Sequence, residues 1–224
     1  MKYNNIISGK FINRPNRFIA NIEIDGKAEV CHVKNTGRCK ELFTENAEVF
    51  LETSSNPNRK TKYDVIAVKK GEMLINIDSQ APNKVFGEWA ENYFEDISLL
   101  KPETKYKNSR FDFYIEYSGK SAFVEVKGVT LEEDGILMFP DAPTERGVKH
   151  LNELCQCIAD GCEAYIFFVV QMKKAKYFTP NKKTHPEFAD VLKKAAECGV
   201  KIKCVNCDVW EDELKIDNFV EIRL

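Results

Sequence analysis

The chain has 224 residues, of which 43% are hydrophobic and 11% aromatic, and its formal net charge is −2. This composition is sufficient for a packed core and excludes disorder as the default state, and the length fits one large or two small domains. The near-neutral charge argues against a protein that coats nucleic acid by bulk charge. Charge is divided unevenly: residues 1–80 hold 13 basic and 10 acidic residues, and the remainder holds 20 basic and 25 acidic residues.

The first residues, MKYNNIISGKF, contain no apolar core of signal-peptide length, and no apolar run of about 18 residues follows. We therefore expect a cytoplasmic protein with no membrane partner. The 8 cysteines are expected to be reduced. Cys204 and Cys207 have the spacing of a metal knuckle, but no second pair follows at zinc-finger distance, so we interpret them as structural.

Short β-type runs separated by turn residues dominate residues 1–80. The runs cover residues 9–12, 17–24, 28–32, 47–52, 63–69 and 73–77. Asp25-Gly26 predicts a tight hairpin between the second and third runs. A short helix is expected over residues 38–43. About five strands with one helix after the third is the order of an OB-fold, which often binds oligonucleotides, although SH3-like barrels and sandwiches have similar patterns.

Two basic clusters in this first part suit phosphate. Arg14 and Arg17 flank a rigid Pro15-Asn16 pair, and Lys34 and Arg38 flank Asn35-Thr36-Gly37. A glycine at a helix start leaves backbone N–H groups free for an anion. The alternative for each cluster is an exposed loop with solvated side chains.

A hairpin is predicted where two alternating runs, residues 110–117 and 121–126, flank the turn Ser118-Gly119-Lys120. Pairing about this turn would place Asp112 near Glu125, with Glu125 and Lys127 on the same side of one strand. Two close carboxylates repel each other unless a cation bridges them, and Mg²⁺ is bound by a few carboxylate oxygens with water and substrate phosphate. The same spacing also occurs in charged pairs across any half-exposed hairpin.

Helices are predicted on either side of this hairpin. The first covers residues 83–97 and carries Glu88, and the second begins at Thr144 and carries Arg146, Lys149 and His150 on a polar face. A buried strand over residues 164–170, a helix over 184–198 and strands over 200–209 and 219–224 are expected to follow. This order predicts an α/β (α+β) fold: a barrel domain over residues 1–80 and a mixed sheet with helices on both faces over residues 81–224.

The order of these elements resembles the PD-(D/E)xK nuclease superfamily, except that Phe111 stands before Asp112 where the superfamily's signature has proline. More narrowly, and nearly end to end, the chain resembles the sugar fermentation stimulation protein A (SfsA) family. The motifs are RPNRF at 14–18, KNTGR at 34–38, PN at 82–83 with Glu88, SRFDF at 109–113, EVKGVT at 125–130 and FPDAPTERGVKHL at 139–151.

The resemblance implies an N-terminal OB-fold and a C-terminal nuclease-like domain that bind DNA without strong sequence preference and cleave DNA or RNA. It also implies a role in sugar-utilisation gene control. Asp112 and Glu125 would be ligands of Mg²⁺ or Mn²⁺, Glu88 a supporting carboxylate and Lys127 the catalytic lysine. The residues expected to contact nucleic acid are Arg14, Arg17, Lys34, Arg38, Arg146, Lys149 and His150. A homodimer is compatible with the sequence.

Two other functions fit the same sequence. One is a DNA-binding regulator that keeps the nuclease scaffold without cleaving. The other is a sugar- or oligosaccharide-binding module, because OB-folds also bind oligosaccharides.

Overall fold

The computed structural model describes residues 1–35 and 37–224. Its first part is built from β1 (Ile6–Asn16), β2 (Ile19–Ile24), β3 (Lys27–Val33), β4 (Glu48–Thr53), β5 (Tyr63–Lys70) and β6 (Met73–Asn76). These strands pair in the order β3-β2-β1-β4-β5-β6, and β3 also pairs in parallel with β5. The second pairing closes five strands into a barrel, which confirms the predicted OB-like fold.

Backbone conformation at two turns of the barrel confirms a predicted hairpin and shows that a predicted helix is wrong. Asp25 and Gly26 adopt φ angles of 50° and 74°, which is the two-residue hairpin turn expected between β2 and β3. The helix predicted over residues 38–43 is wrong. The chain there makes a single turn, in which the N–H groups of Leu42 and Phe43 donate to the Cys39 carbonyl. Because Cys39 has a φ of +45°, the right-handed helical path cannot continue through it.

The rest of the chain forms a mixed sheet with flanking helices. Its elements are α1 (Ala81–Trp89), β7 (Ile97–Tyr106), β8 (Ser109–Tyr117), β9 (Lys120–Val129), β10 (Leu131–Glu133), β11 (Ile136–Phe139), α2 (Glu145–Ala159), β12 (Glu163–Val170), β13 (Tyr177–Pro180), α3 (Pro186–Glu197), β14 (Lys201–Val209) and β15 (Leu214–Phe219). The large sheet has the order β15-β14-β12-β9-β8-β7, and β10, β11 and β13 form a small second sheet.

Strand alternation distributes the large sheet's side chains between two cores. Phe113, Val124 and Phe167 pack with α1 on one face. Phe123 and Phe168 pack on the other face with residues of α2 and α3, in a core continuous with that of the barrel. The expected arrangement of helices on both faces is therefore confirmed. Among the described residues, no helix is long and apolar enough to cross a membrane.

Two predicted elements of the second part have different bounds in the structure, and one strand was not predicted. The helix predicted over residues 83–97 ends at Trp89, and a 3₁₀ turn over Ala90–Asn92 follows it. Asp96 then takes a φ of +52° and the unpredicted strand β7 begins. Pro102 is tolerated inside β7 because this strand lies at the sheet edge. The final strand is Leu214–Phe219 rather than residues 219–224, because Leu214 and Ile216 supply the buried alternation.

An ion network at the start of β12 predicts acid-sensitive stability. The Glu163 carboxylate accepts hydrogen bonds from Tyr117, from Tyr165 at 2.8 Å and from Lys201 at 2.7 Å, and lies 3.2 Å from the Lys120 ammonium. Burial favours the neutral acid, but the bonds from Lys201 and the tyrosines outweigh it and lower the pKa of Glu163 from 4.5 to about 2.

Because the pKa of Glu163 is lower in the folded than in the unfolded state, its stabilisation is present above pH 4.5 and is lost as pH falls toward 2. Glu163→Gln should lower the free energy of unfolding at pH 7 by roughly 1 kcal/mol, since water screens part of the interaction. The difference from wild type should disappear near pH 2. Urea denaturation across this pH range measures it, and a difference that is independent of pH would contradict the assignment.

Candidate active site

The β8–β9 hairpin forms about the predicted turn. Ser118 and Gly119 have φ angles of 45° and 73°, Tyr117 pairs with Lys120, and the register continues to Phe113 opposite Val124. Beyond that pair, the Asp112 side chain takes part in the strand contact itself, because its Oδ2 accepts a hydrogen bond from the Val126 N–H at 2.7 Å. Asp112 is therefore held beside the segment that carries Glu125 and Lys127, as the sequence predicted.

Asp112 is held from two directions. Its Oδ1 accepts a hydrogen bond from Asn83 Nδ2 at 2.7 Å, so the first turn of α1 and the backbone of β9 together orient the carboxylate. Burial raises the pKa of Asp112, and the nearby charge of Glu125 raises it further, against the opposing effects of the Val126 N–H and Lys127. An additional cation beside Asp112 would therefore stabilise its ionised form.

Glu125 is buried in the central strand β9, with 2% of its surface exposed. Its Oε1 accepts hydrogen bonds from Lys127 Nζ and from His150 Nδ1, the latter at 2.5 Å. Burial favours the neutral acid, but these two partners outweigh it and lower the pKa of Glu125. Glu125 Oε2 is also buried and has no hydrogen-bond partner among the described residues. An ionised carboxylate thus presents one oxygen without a donor from the described part of the chain.

His150 has a different position from the one that the sequence suggested. It is 4% exposed, and its Nδ1 donates to Glu125 while its Nε2 accepts from Arg146 Nε at 3.4 Å. These partners assign the proton to Nδ1. The spacing of Gly147, His150 and Leu154 marks the buried face of α2 and was the signal that could have placed His150 inside.

Glu88 lies close to the site without joining the carboxylate cluster. It lines a depression of about 470 Å³ together with Asp112, but its Oε2 pairs with the N-terminal amine of Met1 at 2.8 Å and its side chain is 60% exposed. The α1 residue that bonds to Asp112 is Asn83, which lies more than one turn before Glu88. The role of Glu88 as a supporting carboxylate stays a prediction, and the contribution of Asn83 was not anticipated.

Comparison with known proteins identifies the family. A family model described as "Sugar fermentation stimulation protein RE domain" matches residues 80–213, and one described as "SfsA N-terminal OB domain" matches residues 12–77. A sugar fermentation stimulation protein homolog from Clostridium beijerinckii is 60% identical over 100% of both chains. The chain belongs to the SfsA family. A homolog from Desulfitobacterium hafniense is 58% identical, covering 100% of this chain and 99% of its own.

A solved SfsA structure also matches this chain along its whole length. The Pyrococcus furiosus SfsA in complex with Ca²⁺ superposes with a TM-score of 0.90 at 27% identity and covers 100% of this chain and 98% of its own. The barrel and the mixed sheet are therefore shared with that SfsA.

Two of the predicted phosphate contacts, within SfsA motifs, have structural partners instead. Arg14 donates to the carbonyl oxygens of Arg38, Arg17 and Asn35 at 2.7, 2.7 and 2.8 Å, so its guanidinium ties two loops together. Lys34 Nζ lies 2.7 Å from the carboxylate of buried Asp78. Both cations are half-buried, and Arg14 also lines the barrel groove that contains Arg17 and Arg38. Thr36, at the centre of the KNTGR motif, lies outside the described residues.

Four other predicted contacts, Arg17, Arg38, Arg146 and Lys149, are exposed. Arg17 and Arg38, together with Lys40, line a groove of about 780 Å³ on the barrel, and the Arg17 guanidinium lies 5.3 Å from the Phe18 ring centre. Arg146 and Lys149 are exposed on α2. The structure thus separates the predicted cations into two that bind internally and four that face solvent.

One trio of potential metal-binding side chains among the described residues lies elsewhere. Ligand atoms of Glu145, His185 and Glu187 come within 4.8 Å of one another. However, His185 Nδ1 accepts a hydrogen bond from the Thr144 N–H at 3.2 Å, so the ring proton is on Nε2, the nitrogen that faces the two carboxylates. A metal-bound histidine normally donates from its second nitrogen, so this arrangement does not suit a cation.

Proposed function

We propose that the protein is a divalent-metal-dependent nuclease of the PD-(D/E)xK type that hydrolyses phosphodiester bonds of DNA or RNA. The observation that carries the proposal is the buried carboxylate of Glu125. Its Oε2 has no donor in residues 1–35 and 37–224, while Asp112 and Lys127 lie beside this carboxylate. Leaving a buried acceptor unsatisfied costs about 1–3 kcal/mol, and more when it is charged, so such a group is expected where a ligand completes it.

The donor atoms suit Mg²⁺ or Mn²⁺. Asp112 and Glu125 would hold the ion through carboxylate oxygens, which are the ligands that hard divalent cations prefer. The P. furiosus relative was solved in complex with Ca²⁺, a cation of the same preference. When bound, such an ion lowers the pKa of a coordinated water and stabilises negative charge on a phosphate.

The residues around the carboxylates have separate tasks in this mechanism. Lys127 offsets the charge that develops on the phosphate and orients the attacking water. His150 holds Glu125 in one orientation and keeps it ionised. Asn83 and the Val126 N–H hold Asp112 in one orientation. The exposed cations bind the phosphate backbone and contribute affinity with little sequence information, which agrees with a role on DNA in sugar-utilisation gene control.

A DNA-binding regulator without cleavage is the second candidate. Asp112 has a donor on each oxygen, and Glu125 Oε1 has two. Because three of the four carboxylate oxygens already have donors, these residues also suit a purely structural role that stabilises the fold. This candidate predicts salt-sensitive binding with no cut product.

The test incubates the purified protein with end-labelled single- and double-stranded DNA and RNA in Mg²⁺, Mn²⁺ or EDTA. Wild type should yield cut product with one of the metals and none in EDTA, and Asp112→Asn should yield none while still binding the strand. Glu91→Gln, which changes an exposed carboxylate beyond α1, is the matched control and should cut like wild type. Binding with no product in either metal would reject the nuclease and favour the regulator.

A further inference from the structure

The turn end of the β7–β8 hairpin places two cations directly opposite each other. Lys105 and Arg110 are cross-strand partners, and both side chains are exposed. Like charges directly opposite each other on an antiparallel pair are destabilising. A polyanion bound across the two side chains would relieve this repulsion.

Helix α2 brings further cations to the same place. Arg146 and Lys149, three residues apart on one face, line a depression of about 460 Å³ together with Lys105 and Arg110. We call this depression the β7–α2 cleft. His150 also lines it, and the same ring donates to Glu125, so the cleft adjoins the proposed catalytic carboxylate.

Nearby acidic groups leave Lys105 and Arg110 available. Arg110 lies 3.1 Å from Glu103, but these side chains are 65% and 73% exposed. Lys149 is 3.8 Å from Glu153 and donates to the Asn108 carbonyl at 3.2 Å. The exposed Arg110–Glu103 pair is worth about 0–1 kcal/mol and exchanges readily for a phosphate. The Glu153 side chain is only 11% exposed, so Lys149 is held more firmly than Arg110.

The opposite side of the site has a different charge. The depression beside Asp112 is lined by Glu88 and Glu103 and by a single lysine, Lys84. A strand crossing Glu125 would therefore meet carboxylates on the Asp112 side and four cations on the His150 side. The favourable path for a phosphate backbone lies over the β7–α2 cleft.

We propose that the β7–α2 cleft is a phosphate-binding subsite that holds a backbone phosphate of the nucleic-acid strand next to the bond that is cut, with Lys105 and Arg110 as binding residues. The proposal rests on the proposed function, because it takes that substrate as given. Arginine suits this task because its planar guanidinium can donate two parallel hydrogen bonds to one phosphate.

The experiment measures strand binding without cleavage. Fluorescence anisotropy of a labelled oligonucleotide in EDTA, over a range of salt concentrations, compares wild type with Lys105→Ala/Arg110→Ala. The matched control is Lys193→Ala/Lys194→Ala, which removes the same charge from exposed positions on α3. The cleft variant should bind on the order of 10-fold more weakly, and its plot of log affinity against log salt should be shallower by about 1 to 2. The control should bind like wild type.

Thermal unfolding of the same variants excludes a folding defect, since removing the opposed Lys105 and Arg110 should leave the protein at least as stable as wild type. An equal loss of oligonucleotide affinity in both double variants would show that the effect comes from net charge. No loss of affinity in either variant would show that the cleft does not bind the strand. Each of these results overturns the subsite. Displacement of the oligonucleotide by polyglutamate as readily as by unlabelled strand would also overturn it, in favour of an acidic protein partner.

The subsite and the nuclease can fail separately. A selective loss of binding in the cleft variant, with no product from wild type in any metal, keeps the subsite and rejects the nuclease. Metal-dependent cutting by wild type, with unchanged binding in the cleft variant, keeps the nuclease and rejects the subsite.

Discussion

Glu125→Gln should abolish metal-dependent cleavage and weaken metal binding together. The substitution keeps the shape of the side chain but removes the negative charge to which Lys127 and His150 donate and the free Oε2 that would face the ion. If the transition state loses several kcal/mol of charge stabilisation, the cleavage rate should fall by roughly 10³-fold or more. Initial cleavage rates in Mg²⁺ and Mn²⁺ measure the first effect.

Metal binding provides a readout that does not depend on activity. The rise in unfolding temperature of wild type with increasing Mn²⁺ reports binding to the folded state, and it should be lost in Glu125→Gln. Glu116→Gln, on the neighbouring strand β8, is the control and should retain both effects, because Glu116 bonds with Tyr114 outside the carboxylate cluster. Cleavage by Glu125→Gln at the wild-type rate would place the active site elsewhere.

Lys34→Met should destabilise the protein strongly and leave strand binding unchanged. Asp78 is fully buried, and its carboxylate is neutralised by Lys34 Nζ at 2.7 Å, with further bonds from Tyr3 at 3.3 Å and the Gln80 N–H at 2.9 Å. Removing one partner of a buried pair leaves a charge without compensation, which costs about 3–5 kcal/mol. Urea denaturation should show a loss of this size.

The double variant Lys34→Met/Asp78→Asn identifies the cause. Because asparagine carries no charge, the double variant should regain most of the stability that the single variant lost. If Lys34 contacts phosphate instead, the double variant should bind the strand as weakly as the single variant does. A stable Lys34→Met protein with reduced oligonucleotide affinity would support the assignment made from the sequence and contradict the structural one.

Local chemistry accounts for the elements that were predicted well. Asp25-Gly26 and Ser118-Gly119 both form tight turns with positive φ, which these residue types tolerate, so two hairpins and their registers follow from a few neighbouring residues. Thr144 begins α2 because its hydroxyl accepts from the Gly147 N–H, an interaction within one turn. The approach of Asp112 to Glu125 was predictable for the same reason, since one short turn connects their strands.

Contacts between distant segments account for the rest. Residues 38–43 have helical composition, but Cys39, Leu42 and Phe43 are drawn into the barrel core and the chain turns instead. Strand β7 has a proline and an exposed pattern, and it becomes a strand only because β8 offers a free edge. Propensity is weak compared with such tertiary packing.

The sequence alone predicted the family motifs, the barrel, the main elements of the mixed sheet other than β7, and the hairpin that joins Asp112, Glu125 and Lys127. Only the tertiary structure decided which charges are used inside the protein. Arg14 and Lys34 bind partners 24 and 44 residues away, and His150 reaches Glu125 across 25 residues. Local pattern cannot distinguish a cation facing solvent from one facing a buried acceptor, because the two differ only in what the folded chain brings beside them. The pairing of Lys105 with Arg110 could not be predicted for the same reason, because these two cations come opposite each other only when β7 and β8 pair in the folded sheet.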